Sequence, residues 1–427
     1  MNDASVAQQG EARLKGKDKT IVAWCFYDWA SSAFSIIVIT FIFATYFTTK
    51  VAKNQIIGTY QWANATSLAG IIIALSSPLF GAIADNGGHH KRWLFFFTTI
   101  SIICAGLLWF AYPQNSAIYF TLTCVVIGTI GYEVALVFYN AFLPGISAKK
   151  YLGRISGWGW GLGYMGGILA LSIALVVFIK SNVFLLDKQS AAQVRICGPF
   201  VAVWYTLFSL PLFFLVPEMP SVSRSLLQAI RDGCKELIST IKKLPAEKNI
   251  LLYLISHMIY TDGLNTLFAF GGIYAAGTYG LSFEEVLLFG ITMNITAGLG
   301  AVLLGWVDDY LGSKLTIFIS LLFLIAFGIP LLFLQHKYAF WGFALLLCIF
   351  VGPVQSASRT LMVKLIGGEE MTTEMFGLYA LSGRITAFMG PWLLGWLTLT
   401  FSSQRAGMAV ILVFFIIGAI TLIPVKT

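Results

Sequence analysis

The chain contains few charged residues and few side chains that could bind a metal or act as a nucleophile. Of its 427 residues 11% are charged, six are cysteines and four are histidines. The cysteines form no Cys-x-x-Cys pair, and neither a His-x-x-x-His motif nor a set of nucleophile, histidine and acid is found. These absences disfavour disulfide frameworks, zinc folds and hydrolase sites. We therefore expect no enzyme activity, no metal and no cofactor.

The sequence also lacks the polar surface of a water-soluble protein. Hydrophobic residues make up 58% of the chain, and the mean hydropathy is +0.82. A bilayer core of ~30 Å requires about 20 apolar residues per helix. Twelve stretches meet this requirement, which predicts an all-α membrane protein with twelve transmembrane helices. They are residues 21–49, 58–84, 93–112, 116–143, 155–180, 198–216, 249–277, 282–307, 315–334, 338–364, 375–400 and 406–424.

Positive charges are divided unequally between the two sides of this predicted bundle. If the N-terminus is cytoplasmic, eighteen Lys and Arg residues fall on the inner side and seven on the outer side. This satisfies the positive-inside rule, so the net charge of +8 reflects topology rather than nucleic-acid binding. The first twenty residues contain no short apolar core with a cleavage site, so no cleaved signal peptide is predicted. We expect a multi-pass protein of the cell inner membrane with both termini in the cytoplasm.

A short motif occurs twice, in loops 224 residues apart. Each copy has a glycine, an aspartate and a second glycine at matching spacing, followed within four residues by a basic residue. Such a repeat in an apolar chain indicates two similar membrane halves. We predict six-helix bundles at 1–216 and 249–427, joined by a cytoplasmic linker at 217–248. The motif residues are Gly81, Asp85, Gly88 and Arg92 in the first copy, and Gly305, Asp309, Gly312 and Lys314 in the second.

The linker is polar, and its apolar residues recur at helical spacing, as at Leu227, Ile230, Ile238 and Ile241. This pattern predicts an amphipathic helix on the inner leaflet of the membrane. Its cations set the topology on the simplest interpretation, and a regulatory partner is the alternative.

Ionisable residues within the hydrocarbon usually face a cavity or a charged partner. Helices one, four, seven and ten each contain one such residue and helix eleven contains another, whereas helices three, six, nine and twelve contain none in their interiors. We expect the helices with charges to line a cavity that binds solute or protons. Its predicted residues are Asp28, Ser32, Glu133, Asn140, Asp262, Asn265, Thr266, Gln355, Arg359 and Arg384.

Each of these charges has more than one possible role. Asp262 lies ~20 Å into its helix, where it could carry a proton or pair with Arg359 or Arg384. Glu133 is either a solute or proton site or one half of an ion pair. Arg359 could hold an anionic group of a solute, or it could neutralise Glu133 or Asp262. Asp28, ~10 Å from the cytoplasmic end, is better suited to a gate or a helix cap.

Two further patterns also have alternative explanations. A Gly-x-Gly-x-x-Gly sequence that begins at Gly161 suggests dinucleotide binding, but no strand is predicted before it. Glycines spaced four apart, at Gly159, Gly163 and Gly167, instead indicate that two membrane helices approach closely. His89 and His90, within the first loop motif, are better explained by a basic loop than by a metal site.

The repeated loop motif resembles the loop between the second and third helices in each half of the major facilitator superfamily. Longer stretches are similar to the vacuole-effluxer family, namely residues 24–33, 139–144, 153–157, 262–272 and 376–384. The resemblance implies a major facilitator fold of two pseudo-symmetric bundles. It also implies that the first, fourth, seventh and tenth helices line the cavity, and that each loop closes against a neighbouring helix end when the outer side is open. Asn86 and Tyr310 stand where the family usually has a basic residue.

Eukaryotic members of that family are autophagy-related vacuolar exporters of amino acids, and the resemblance therefore implies an amino acid or a similar zwitterion as solute. The compact chain looks bacterial, so a vacuolar location is not expected. We predict secondary active transport by alternating access, coupled to protons through Asp262 or Glu133. An uncoupled facilitator and a solute-sensing receptor are the alternatives. The expected partners are a small solute, protons and the lipid bilayer but no nucleic acid, and the protein is expected to be a monomer.

Overall fold

The structure is a computed structural model that describes residues 3–180, 187, 189–219, 226–281, 283–366 and 372–426. Residues 220–225 of the predicted linker lie outside the described residues. All regular secondary structure in these ranges is helical.

In chain order the α-helices are α1 (Asp3–Ala33), α2 (Ile42–Tyr46), α3 (Gln55–Gly87), α4 (His90–Leu107), α5 (Ile118–Ala141), α6 (Leu143–Ile146), α7 (Leu152–Ile173), α8 (Ala192–Arg195), α9 (Cys197–Leu215), α10 (Leu226–Lys243), α11 (Lys248–Tyr279), α12 (Phe283–Leu311), α13 (Ser313–Phe333), α14 (Lys337–Ile366), α15 (Thr372–Arg384), α16 (Met389–Phe401) and α17 (Gln404–Leu422).

Each of the twelve predicted spans has a counterpart among these helices. Ten segments of the described chain are long and apolar enough to cross a bilayer, the first of which joins α1 and α2 through a wider π-helical stretch. The eleventh counterpart is α11, where polar residues lower the hydropathy of a helix of 32 residues. The twelfth is the pair α15 and α16, which a turn at residues 385–388 interrupts. The predicted all-α architecture of twelve membrane helices is confirmed.

Buried apolar side chains form two clusters, one for each half of the chain. The first is drawn from residues 23–216. The second is drawn mainly from residues 253–425, with three contributions from α5 and α7. The bounds of the two bundles, 1–216 and 249–427, stay a prediction, but each half contains its own apolar core.

The glycines of α7 lie where neighbouring helices come closest. A Cβ atom on Gly163 would lie 2.9 Å from the hydroxyl oxygen of Ser32 in α1. On another face, a Cβ atom on Gly161 would collide with a methyl group of Val302 in α12. Side chains at these positions would force α7 away from both partners. Close helix packing, rather than dinucleotide binding, is therefore confirmed as the reason for this glycine pattern.

Helix α10 forms the helical part of the linker and lies across one end of the bundle, which we call the linker end. Its contact with α3 is tight, because a Cβ atom on Gly233 would lie 2.9 Å from the backbone of Ala82. Ala229 faces α3 and is buried, whereas Leu227 and Ile241 on other faces of the helix are exposed. The helix is thus amphipathic as predicted, and its contact with the inner leaflet stays a prediction.

Candidate functional site

A cavity of about 560 Å³ lies between the two halves of the chain. Its wall combines side chains from α1, α5 and α7 with side chains from α11, α14 and α15. Aromatic residues make up much of this wall, among them Tyr132, Trp160 and Tyr379. Six of the ten predicted cavity residues line it, namely Ser32, Glu133, Asn140, Asn265, Gln355 and Arg384.

Asp262 and Thr266 do not belong to this wall, which corrects their predicted placement. Both are buried, and the Thr266 hydroxyl donates to the Asp262 backbone carbonyl at 2.7 Å. A Cβ atom on Gly390 of α16 would collide with the Thr266 hydroxyl, so this face of α11 packs against α16. The cavity is instead lined by Thr261 and Asn265 on the adjacent face. A helix turns about 100° per residue, so depth in the membrane does not determine which side chain faces the cavity.

Asp28 and Arg359 also lie behind the cavity wall, where they form an ion pair. The Arg359 Nη1 is 3.3 Å from Asp28 Oδ2, and the same nitrogen donates to Asn140 Oδ1 at 3.2 Å. The prediction that Arg359 neutralises Glu133 or Asp262 is therefore wrong, because its acidic partner is Asp28. The predicted gate role of Asp28 is left as a proposal.

The guanidinium of Arg359 has further partners in the opposite half. Its Nε donates to the Ser156 hydroxyl at 2.9 Å, and its Nη2 donates to the Ser156 carbonyl at 2.7 Å. Its Cζ lies 4.7 Å from the centroid of the Trp24 ring, and Tyr139 donates to Asp28 Oδ2 at 2.8 Å. One arginine of α14 thereby joins α1, α5 and α7. Ser156, Trp24 and Tyr139 were absent from the predicted site, because they carry no charge and share no polar stripe with a charged residue.

Glu133 of α5 and Arg384 of α15 form a second ion pair across the two halves. The Arg384 Nη2 donates to Glu133 Oε1. The side chains are 14% and 38% exposed, and both line the cavity, so a solute could reach them. This pair is the prominent charged feature of the wall.

Neutral polar groups complete the wall next to this pair. Tyr164 donates to the side-chain oxygen of Gln355 at 2.5 Å. His257 lies 2.7 Å from the Ser382 hydroxyl, and its ring stacks on Tyr379 at 4.0 Å. These groups offer hydrogen bonds and flat apolar surfaces to a small polar ligand.

The aspartate of the first loop motif contacts the first turn of a helix from the other half. Asp85 Oδ2 accepts from the Glu374 backbone N–H at 2.8 Å, and Oδ1 accepts from that of Thr373 at 3.3 Å. A negative charge at a helix N-terminus is favourable because the backbone donors there are unpaired. His90 Nε2 lies 3.0 Å from the same carboxylate. A Cβ atom on Gly81 would collide with the Thr373 carbonyl, so this contact requires glycine.

The second loop motif makes the equivalent contact with the two halves exchanged, because its aspartate lies in the second half and contacts a helix of the first half. Asp309 Oδ1 accepts from the Gly153 backbone N–H at 2.8 Å, and Oδ2 lies 2.6 Å from Arg154 Nε at the start of α7. A Cβ atom on Gly305 would lie 2.9 Å from the Arg154 Cα. Both repeated loops thus bridge the two halves at the linker end.

The remaining motif residues do not bridge the halves. Gly88 and Gly312 have positive φ angles, 72° and 91°, and allow the chain to turn. The Lys314 ammonium donates to the Ile423 carbonyl within its own half. Arg92 is exposed beside Gly87 and α10. No group of three His, Cys, Asp or Glu residues in the described ranges has the spacing to hold a metal.

Glu374 was not predicted as a site residue, although it lies between these features. It sits in the first turn of α15 and is fully buried, and apart from a contact with the Thr240 hydroxyl its carboxyl oxygens have no hydrogen-bond partner among the described residues. Its position before the start of a predicted span made it look like an ordinary loop acid.

Sequence comparisons relate the whole chain to known proteins. The profile of the family described as vacuole effluxer Atg22 like matches residues 62–427. The uncharacterized MFS-type transporter YxiO of Bacillus subtilis is 24% identical over 95% of each chain. Autophagy-related protein 22 of Kluyveromyces lactis is 22% identical over 84% of this chain and 75% of that protein.

Solved structures with the same fold share little sequence with this chain. The proton:xylose symporter XylE bound to 6-bromo-6-deoxy-D-glucose has a TM-score of 0.73 at 13% identity, covering 96% of both chains. A bacterial homologue of the iron transporter ferroportin in its outward-facing state has a TM-score of 0.70 at 15% identity, covering 95% of this chain and 98% of that one. The likeness establishes the major facilitator fold.

Proposed function

This chain belongs to the vacuole effluxer family and is a multi-pass membrane transporter of the major facilitator type, and on that premise we propose that it moves a small zwitterionic solute, such as an amino acid. Transport would occur by alternating access across the inner membrane of a bacterial cell. The observation that carries the proposal is the ion pair of Glu133 and Arg384 on the cavity wall.

An ion pair on the wall of a membrane cavity favours a solute that carries both charges. A carboxylate on the solute can bind the Arg384 guanidinium through charge-assisted hydrogen bonds, while an ammonium group binds Glu133. The site stays neutral when a zwitterion binds, whereas an anion or a cation leaves one charge uncompensated in a medium of low polarity. Asn140, Asn265 and Gln355 on the same wall can bind further polar groups of the solute.

Alternating access requires the contacts at the linker end to break and re-form. We propose that residues 1–216 and 249–427 rock as two bodies around the cavity. The contacts that must separate are those of Asp85 with α15, of Asp309 with α7, and of Asp28 with Arg359. The positive-inside rule supports a cytoplasmic position for the linker end and both termini. Asp28 and the two loop acids then belong to the cytoplasmic gate.

We further propose that Glu133 carries the coupled proton. In its ionised form it would bind the ammonium group of the solute, and its protonation would release that group, so that solute and proton occupy the site in turn. Asp262 packs away from the cavity, so we assign it a structural role. One chain encloses the whole cavity, which supports a functional monomer. The second candidate is an uncoupled facilitator, which the existing ion pair of Glu133 with Arg384 favours.

The test is solute-dependent proton movement in proteoliposomes that contain a pH-sensitive dye. Wild type is compared with Glu133→Gln, and Asp262→Asn serves as the matched control acid. Proton movement with an amino acid that is lost in Glu133→Gln and kept in Asp262→Asn supports coupled transport. Crossing of labelled solute without proton movement supports the facilitator. Solute binding without crossing contradicts transport and supports a receptor.

A further inference from the structure

Three helices meet around Glu374 at the linker end. They are α15, which carries it, α3 from the first half and α10 from the linker. The contacts between them are close, because a Cβ atom on Gly87 of α3 would lie 2.7 Å from the Cβ of Ala229 in α10. On the other side of α3, a Cβ atom on Gly377 of α15 would lie 2.5 Å from the Cα of Pro78. Glu374 is therefore enclosed only while all three helices stay together.

The surroundings of Glu374 do not favour a negative charge. Its side chain is fully buried, and apart from a contact with the Thr240 hydroxyl neither carboxyl oxygen has a hydrogen-bond partner in the part of the chain that the structure describes. The charged groups that act on it are two acids, Asp85 of α3 and Glu236 of α10. An ionised carboxylate with a single hydroxyl contact and no cation is costly to bury, and nearby acids add to the cost. The protonated, neutral carboxyl of Glu374 is therefore the more favourable form at this position.

The pKa of Glu374 agrees with this geometry. The group precedes residue 375, where the predicted membrane span begins, so it lies at the end of the bundle. Burial is the main cause that raises its pKa from 4.5 to about 7; the charges of Glu236 and Asp85 contribute to this rise, whereas a hydrogen bond from the Thr240 hydroxyl opposes it. Protonation of Glu374 thus changes within the range of ordinary cytoplasmic pH.

Charged groups on the other elements around α15 have partners of their own. His90 of α4 lies against Asp85, and Glu133 of α5 is paired with Arg384 at the far end of α15. On α11, His257 contacts Ser382 and Tyr379 in the middle of α15. Arg359 of α14 is bound to Asp28, and the α10 residues at 231, 235, 242 and 243 are exposed. None of these described groups neutralises Glu374.

The loop contact at the second motif has a different electrostatic character. There Asp309 is bound by Arg154, and the neighbouring Asp308 lies 3.2 Å from the Lys364 ammonium. These cations stay charged at all physiological pH values. Of the two related contacts, the one at the first motif holds a buried acid with no cation among the described residues. The two loop contacts are therefore alike in their backbone hydrogen bonds, but we expect only the contact at the first motif to depend on pH.

We propose that Glu374 is a proton-binding site of the gate at the linker end, distinct from the central cavity. The carboxylate takes a proton from cytoplasmic water as α3, α10 and α15 come together, and it returns that proton to water when they separate. The linker helix α10 belongs to the gate, because its Glu236 and Thr240 form part of the enclosure. The inference rests on the proposed alternating access only in that it requires this end to open.

The direction of the pH effect follows from the two pKa values. Separation of the helices exposes Glu374 to water and returns its pKa towards 4.5. The closed gate thus binds the proton more tightly than the open gate. Its stability relative to the open gate is greatest below about pH 4.5. Its stability is lost as pH rises towards about 7 and changes little above that value. The ratio of open to closed gates should increase about tenfold between about pH 6 and pH 8.

The experiment measures the width of the gate without any solute, in lipid nanodiscs. Spin labels are attached at Lys150→Cys and Tyr310→Cys, two exposed positions in opposite halves, after the six native cysteines are replaced. Pulsed dipolar spectroscopy then gives the populations of short and long distances at each pH. Glu374→Gln mimics the protonated acid, and Glu247→Gln, an exposed acid near α10, is the matched control.

We expect the population of the long distance to increase with rising pH in wild type and in Glu247→Gln. In Glu374→Gln the short distance should dominate at every pH. Wild-type populations that do not change with pH, or a pH response that persists in Glu374→Gln, would overturn the proposal. Infrared difference spectra of the chain with its native cysteines provide a second measurement. A protonated-carboxyl band that titrates near neutral pH must disappear in Glu374→Gln, and its persistence there would also overturn the assignment. Because no solute is added, these results stay separate from the flux test of transport.

Discussion

Arg359 of α14 and Asp28 of α1 join the two halves of the protein through an ion pair of 3.3 Å behind the cavity wall. The guanidinium is only 3% exposed, and its remaining donors bind Asn140 and Ser156, so it is satisfied entirely by the opposite half. A buried pair of this kind contributes little net stability compared with apolar residues of the same shape. Loss of one partner is costly, because the other charge stays buried alone. The pair thus holds the two halves in one relative position.

We expect a strong coupling between these two residues in a double-mutant cycle. Arg359→Met should lower the stability of the folded state by about 3–5 kcal/mol, because it leaves Asp28 unpaired. The double variant Asp28→Asn with Arg359→Met should lose less than the sum of the two single losses. The measurement is thermal unfolding in detergent. Additive losses would show that the pair does not act as a unit.

The ion pair on the cavity wall should determine the charge of the solute that binds. Glu133→Gln leaves an uncompensated guanidinium, so affinity for zwitterions should fall and affinity for carboxylates without an amino group should rise. A hydrogen bond to a charged group contributes about 1.5–3 kcal/mol, which corresponds to a loss of about tenfold or more in zwitterion affinity. Arg384→Gln should shift the preference towards cations. Competition binding with solutes of each charge measures these shifts, and equal changes for all solutes would contradict the prediction.

The loop acid Asp309 should stabilise the closed linker end. Asp309→Asn removes the charge that binds Arg154 and the Gly153 N–H, so the closed state should lose about 1.5–3 kcal/mol. The gate labels at Lys150 and Tyr310 should then report more of the long distance at a fixed pH. The control is Asp187→Asn, which removes an exposed acid from a loop between α7 and α8. A long-distance population that is equal in Asp309→Asn and in wild type would contradict this role.

Helix α7 should tolerate no side chain where it meets α12. A Cβ atom on Gly157 would collide with the Ala301 carbonyl, which is a backbone group and cannot rotate away. Gly157→Ala should therefore disfavour the closed linker end by about 1–3 kcal/mol. Gly70→Ala is the matched control, because a Cβ atom there would have no neighbouring atom within 4 Å. The gate distance measures the effect, and similar results for both variants would refute the packing argument.

Much of the architecture could be predicted because the membrane constrains it strongly. Hydropathy locates each span, and the repeated glycine and aspartate spacing of Asp85 and Asp309 identifies two related loops. The glycines of α7 are likewise recognisable, because close helix packing leaves few other residues possible. These features depend on local sequence, and local sequence is sufficient to find them.

The partners of the buried charges could not be predicted in the same way. Arg359 pairs with Asp28, which is 331 positions away in sequence, and helix rotation and tilt determine that contact. Asp262 packs away from the cavity for the same reason, although its depth suggested a proton site. Glu374 was overlooked because its burial depends on α10, a linker helix whose position hydropathy does not specify. Packing between distant helices decides each of these cases.

The most direct test of the central claim is counterflow exchange in proteoliposomes with three related solutes of different net charge. An amino acid is compared with its amide, which is a cation, and with its N-acetyl derivative, which is an anion. Several amino acids with different side chains are screened in this format, so that side-chain preference does not conceal exchange. We predict that the zwitterion of at least one set exchanges rapidly, and that its amide and N-acetyl derivative do not. Two results would contradict a zwitterion site built on Glu133 and Arg384. One is that the charged derivatives exchange at the rate of the parent amino acid, and the other is that none of the solutes exchanges.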